Sequence, residues 1–68
     1  MSNLKDIRES KDLTQGKLAE KAGVSKRMVE YYEQGYHDIN RAEARTIFKL
    51  ARALKCKMED LIEKNRID

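Results

Sequence analysis

No proline occurs anywhere in the 68 residues, and the only glycines fall at 16, 23 and 35. This scarcity of breakers constrains the fold more than any other feature. Proline ends helices and glycine loosens them, so a chain nearly without either, and with few β-branched runs, reads as helical from end to end. The two later glycines bracket GVSKRMVEYYEQG, with Lys26-Arg27 near one end and Tyr31-Tyr32 near the other. The question is which side of that segment packs on the protein and which side is left for a partner.

Apolar spacing divides the chain into five helices. A first, over residues 3 to 11, turns Leu4 and Ile7 inward and Lys5, Asp6 and Glu9 outward, with Ser2 or Asn3 as its cap. Thr14 caps a second over residues 15 to 22, which buries Leu18 and offers Ala19 as a small contact. Gly23 stops that helix, Ser25 caps a third over residues 26 to 34, and Gly35 ends it. Asn40 with Glu43 three residues on is a capping-box-like start for a fourth helix, reaching about residue 54. Its stripe is Ile47, Leu50, Ala51 and Leu54, widened by Ala44 and Phe48. A short fifth, residues 58 to 63, brings Leu61 and Ile62 to a core or an interface.

The third helix has two distinct faces. Val29 and Tyr32 are three apart and share the inward one, with Glu33 beside them. Arg27, Tyr31 and Gln34 follow the i, i+4, i+7 spacing of the opposite face, together with Lys26 and Glu30. The basic pair and one tyrosine therefore point outward together, and the other tyrosine points in.

Size and composition set the bounds. The length allows one domain, residues 1 to 68, and a domain so small buries only about 60% of its unfolded surface, which leaves stability marginal without a staple or a partner. Cys56 is the single cysteine, so no internal disulfide forms, and the chain suits a reducing cytoplasm. The opening MSNLKDIRESKDLT has no apolar secretory region, and no stretch approaches the roughly 18 apolar residues of a membrane span. A net charge of +3 permits nucleic-acid binding without demanding it. An enzyme is not expected: no nucleophile–base pair lies within helical reach, and there is little room for a pocket. His37 and Cys56 lack the ligand spacing of a metal site, so no metal, cofactor or small-molecule ligand is expected. His37 reads as an exposed loop residue and Cys56 as an apolar filler between the last two helices.

The stretch TQGKLAEKAGVSKRMVEYYEQG, residues 14 to 35, joins two capped helices through a short turn containing glycine, which is the spacing of a helix-turn-helix. Most of the chain, from Leu4 to about Ile62, resembles the phage-repressor type of that family, that of Cro, lambda repressor and xenobiotic-response-element-like regulators. The residues carrying the resemblance are Arg8, Leu13-Thr14-Gln15, Leu18-Ala19, Ala22-Gly23-Val24-Ser25, Val29, Tyr32-Glu33 and Gly35, and IFKLARALKCKMEDLI is similar to the family's last two helices. It implies an all-α, five-helix lambda-repressor-like domain whose third helix lies in the major groove of duplex DNA.

Carried over residue by residue, the resemblance implies that Lys26, Arg27, Met28 and Tyr31 read bases. Arg27 would fork onto guanine O6 and N7. Thr14, Gln15, Ser25, Tyr36 and Arg41 are implied as contacts to the DNA backbone, Gln15 with the help of the helix dipole. The bland alternatives are solvated first turns for the polar residues and partial packing for Met28 and Tyr31. Glu30 would repel phosphate unless it accepts from cytosine, and without DNA it is solvated or pairs with Lys26 or Arg27. Tyr36 and Asp38 stand where relatives carry a basic cluster, and Gly16 where they commonly carry Glu. Of the basic stripe Arg41, Arg45, Lys49 and Arg52, only the first should lie near DNA.

Arg8 and Glu33 match an ion pair that orients the third helix. Homodimerisation through Met58, Leu61, Ile62 and Ile67 is implied as well. The resulting expectation is a sequence-specific transcriptional regulator, a repressor acting by operator occupancy. The alternative is a protein-interaction adaptor or antitoxin-like module on the same fold.

Overall fold

A computed structural model describes residues 2–63 of the chain. In order they form α1 (Asn3–Ser10), α2 (Gln15–Ala22), α3 (Lys26–Gln34), a 3₁₀ turn (Ile39–Arg41), α4 (Ala44–Leu54) and α5 (Met58–Leu61). All regular elements among the described residues are helical. Three hydroxyls open the first three helices: Ser2 Oγ accepts from the Lys5 N–H at 3.2 Å, Thr14 Oγ1 from Lys17 at 3.1 Å and Ser25 Oγ from Met28 at 3.0 Å. Each answers one of the orphan donors of a first turn. Gly23 and Gly35 close α2 and α3 in the left-handed conformation, with φ of +74° and +86°, where a Cβ would be strained.

The core gathers one stripe from each helix. Leu4, Leu18, Val29, Leu50, Leu54 and Leu61 are sealed from solvent, and Ala19, Ala22, Ile39, Ile47 and Ala51 complete the cluster. Burying each large aliphatic chain stabilises the fold by about 1.5–3 kcal/mol. Ala19 and Ala22 are small buried residues of α2, the helix that packs on both α3 and α4, and a longer side chain there would push the helices apart. No buried side-chain polar atom among the described residues lacks a hydrogen-bond partner.

Four expectations need correction. Asn40 does not begin α4. Glu43 precedes its first residue without a side-chain cap, and the 3₁₀ turn occupies the expected first turn. Asn40 bonds the far end of the chain instead: its Nδ2 donates to the Glu63 carbonyl at 2.6 Å and its Oδ1 accepts from the Glu63 N–H at 2.8 Å. Ala44 and Phe48 do not widen the buried stripe, since both are exposed. Helix α5 ends at Leu61 rather than at residue 63, because Ile62 turns to extended backbone. Leu61 is completely buried, so it serves the core and is not available to a second copy, whereas Met58 and Ile62 remain exposed. Ile67 lies outside the described residues.

The C-terminal end is strapped to the beginning. Asn3 donates from its backbone N–H to Glu63 Oε2 at 3.1 Å and from Nδ2 to the Ile62 carbonyl at 3.1 Å. Helix α4 closes on Lys55, a non-glycine residue at φ +57°. Beyond it, Cys56 packs against the core, and burial pushes its thiol above the ordinary range. It therefore stays protonated as an apolar filler.

Candidate nucleic-acid interface

The position of α3 is set by one carboxylate. Glu33, with 2% of its side chain exposed, accepts from Arg8 Nε at 2.7 Å and from the same guanidinium's NH2 at 3.1 Å. It also accepts from Gln15 Nε2 at 3.0 Å. The remaining arm of Arg8 donates to the Leu13 carbonyl at 2.6 Å. One side chain of α3 is thus tied to α1 and α2, and through Arg8 to the loop between them. The hydrogen bonds it donates to Glu33 hold the guanidinium's pKa above its ordinary value against the opposing effect of burial.

This arrangement changes the reading of Gln15. Its amide nitrogen is not free in solvent, because one of its hydrogens points at Glu33. The second amide hydrogen and the carbonyl have no hydrogen-bond partner among the described side chains. Thr14 and Ser25 keep a free hydroxyl hydrogen although their oxygens are occupied as caps.

With Glu33 and Val29 turned inward, the other face of α3 is open. Lys26 and Arg27 are exposed, and Met28, Glu30 and Tyr31 are half-buried. Lys26 Nζ lies 3.7 Å from Glu30 Oε2, an ion pair across one turn with most of the lysine in water. Such a pair, mostly in water, contributes little.

A cleft of about 570 Å³ runs between this face and the segment that follows. Ser25, Arg27, Met28 and Tyr31 form one wall, and Tyr36, His37, Asp38 and Arg41 the other. The structure thus brings together six of the expected site residues, namely Ser25, Arg27, Met28, Tyr31, Tyr36 and Arg41. Lys26 lies outside the cleft on its rim-side pair with Glu30, and Thr14 and Gln15 stand at the start of α2. Two guanidinium groups, of Arg27 and Arg41, and a single carboxylate line the cleft, and that carboxylate is already engaged, since Asp38 Oδ1 accepts from the Asn40 N–H at 2.9 Å.

Tyr31 is held from behind by the loop. Its carbonyl accepts from the N–H groups of Gly35, Tyr36 (2.9 Å) and His37 (3.3 Å), and its ring meets Tyr36 edge-on at 5.6 Å and His37 at 5.0 Å. His37 also lies 5.9 Å from the Tyr32 ring. His37 stays in an exposed loop, as the sequence implies, but its ring contacts with Tyr31 and Tyr32 were not foreseen. The alternation of Tyr and His across Gly35 was the available signal, but it needs the left-handed turn to fold the loop back. Tyr32 packs partly on the core and shows one edge to the cleft.

No group of three or more His, Cys, Asp and Glu side chains among the described residues is placed to hold a metal ion, and no helix among them is long and apolar enough to cross a membrane. Comparison with curated proteins gives no match. The helix-turn-helix family model, by contrast, matches residues 4–61, from the first core leucine to the last. With the capped α2–turn–α3 unit, the open face of α3 and the Arg8–Glu33 tie, that match places the chain in the helix-turn-helix family of DNA-binding domains, of the Cro and lambda repressor type.

Proposed function

We propose that the protein is a sequence-specific regulator of transcription that binds duplex DNA through α3 and represses by occupying its operator. The observation that carries this reading is the exposed first turn of α3, where Lys26 and Arg27 stand beside a cleft lined by Met28, Tyr31, Tyr36 and Arg41. A helix entering the major groove by its N-terminal end puts Arg27 and Lys26 at base edges, with Met28 and Tyr31 following along the groove. Lys26 exchanges Glu30 for the DNA. Arg41 and Tyr36 take the backbone beyond one end of α3, and Thr14, Gln15 and Ser25 take it at the other.

One such domain reads few base pairs. Two copies on a palindrome, with half-sites about one helical turn apart, supply useful specificity. Met58 and Ile62, both exposed at the α5 end, are the described residues on which a homodimer would close. Selection of sites from random duplex DNA at two salt concentrations tests the reading. A palindrome is enriched by the natural chain, and Arg27→Ala loses about 1–3 kcal/mol together with the preference for one base. Weak, salt-sensitive binding with no enriched sequence would leave only electrostatic adhesion and overturn it.

A further inference from the structure

Helix α4 carries a second surface that DNA reading does not use. Its sequence ARTIFKLARAL contains three cations and no acidic residue. Ile47, Leu50, Ala51 and Leu54 face the core, which leaves Arg45, Phe48, Lys49 and Arg52 along the outer side. Phe48 is 48% exposed. A shallow crevice at the seam of α2 and α4 is lined by Lys21, Ala22, Phe48, Lys49, Arg52 and Ala53, and shares no residue with the cleft beside α3.

The cations of this surface have no ion-pair partner among the described residues. The ion pairs among the described residues are Arg8 with Glu9 and Glu33, Lys17 with Glu20, and Lys26 with Glu30, and none includes Lys21, Arg45, Lys49 or Arg52. Arg52 lies 5.8 Å from the centre of the Phe48 ring, so its charge is held over the exposed aromatic instead. A half-exposed aromatic beside a crevice and ringed by unpaired cations is an anchor with an electrostatic rim.

We propose that this face of α4 docks an acidic, amphipathic segment of another protein. An apolar side chain of that segment seats on Phe48 in the crevice, and its carboxylates pair with Lys21, Lys49 and Arg52. Charge selects this occupant over a second copy of the chain, because two such faces set against each other would oppose like charges over their whole area. The aromatic selects it over bare phosphate, which offers nothing to cover Phe48.

The test is titration of the isotopically labelled chain with a synthetic amphipathic peptide of Glu, Leu and Phe, following backbone amide shifts. The expected shifts fall at Ala22, Phe48, Lys49, Arg52 and Ala53. Affinity falls about tenfold or more in Phe48→Ala, as for a central anchor, and falls further as salt is raised. Lys49→Glu, on an exposed position, gives the same direction in a variant that keeps the core intact. Shifts at Lys26, Arg27 and Tyr31 instead, or equal binding by a peptide in which Ser replaces Leu and Phe, would reduce the effect to general charge attraction and overturn the proposal. Absence of binding overturns it too, as do shifts of the Phe48 face produced by duplex DNA that Phe48→Ala leaves unchanged, which would make it a backbone contact. Because α3 is untouched, DNA binding by Phe48→Ala reports separately on the operator-binding reading.

Discussion

The connection leading into α3 is short, and its polar groups are answered close by. The Gly23 N–H finds Ala19 and Glu20, the Val24 N–H finds Ala19, and Ser25 accepts from Met28. The connection leading out, residues 35 to 43, begins in the same way, with three N–H groups folded onto the Tyr31 carbonyl. It is then held from far away, by Asn40 bonded twice to Glu63 across 23 positions and by Ile39 buried in the core. The first connection is a local device whose geometry travels with its residues. The second exists only once the rest of the domain has folded. A helix meant to be presented at a fixed angle thus has one side set by local rules and the other by the tertiary structure, and the cleft lies on the second side.

Removing a tie that belongs to neither connection separates the two. Glu33→Ala leaves the Arg8 guanidinium, 10% exposed, without its hydrogen-bonded carboxylate and with only the exposed Glu9 at 3.8 Å. The expected loss is about 3–5 kcal/mol of stability, read by urea unfolding. A loss below about 1 kcal/mol would mean that the two turns alone fix α3, against the strong cost of breaking a buried pair.

Asn40→Ala attacks the outgoing connection. Both Glu63 bonds go, and the expected cost is about 1–3 kcal/mol. Hydrogen exchange of the Glu63 and Arg41 amides should quicken while that of the Gly23 and Val24 amides is unchanged. Uniform acceleration along the chain would show that the connections are not separable.

The smallest effect is expected from Ser25→Ala, which removes the cap of α3 and costs about 1 kcal/mol, with Ser25→Asp recovering most of it. The change should be felt by Met28 and Val29 and not by the loop from Tyr36 to Arg41. Spread into that loop would mean the incoming turn also positions the cleft's far wall.

Much of the fold was legible because its signals are local. The caps Thr14 and Ser25, the left-handed glycines at 23 and 35 and the stripe from Ile47 to Leu54 follow from rules that act within one or two turns. The end of α4 near residue 54 was legible from the end of its apolar stripe, although Lys55 takes the left-handed conformation without being glycine; its start was not, because the 3₁₀ turn stands where the first turn was expected. The turn at Lys55 is held by its N–H, which donates to the carbonyls of Ala51 and Arg52. Of the candidate site, residues on α3 could be placed by helical spacing. The opposing wall could not, since Tyr36, His37 and Arg41 reach the cleft only through Gly35 and the distant hold on Asn40.

The amino-acid sequence by itself determined the helices, their caps, the sharp turn before α3 and which face of α3 is apolar, because each depends on residues within one or two turns. Only the tertiary structure decided that Phe48 stays outside and Leu61 inside, that Asn40 serves the C-terminal end rather than α4, and that Gln15 lends a hydrogen to Glu33. The reason is geometric. Phe48 is turned about 100° from Ile47 around the helix, at the border of the buried stripe, and such a residue is covered or exposed according to where the neighbouring helix ends. Helical spacing carries no information about that neighbour, and polar side chains of flexible reach take whichever partner the packed helices bring near.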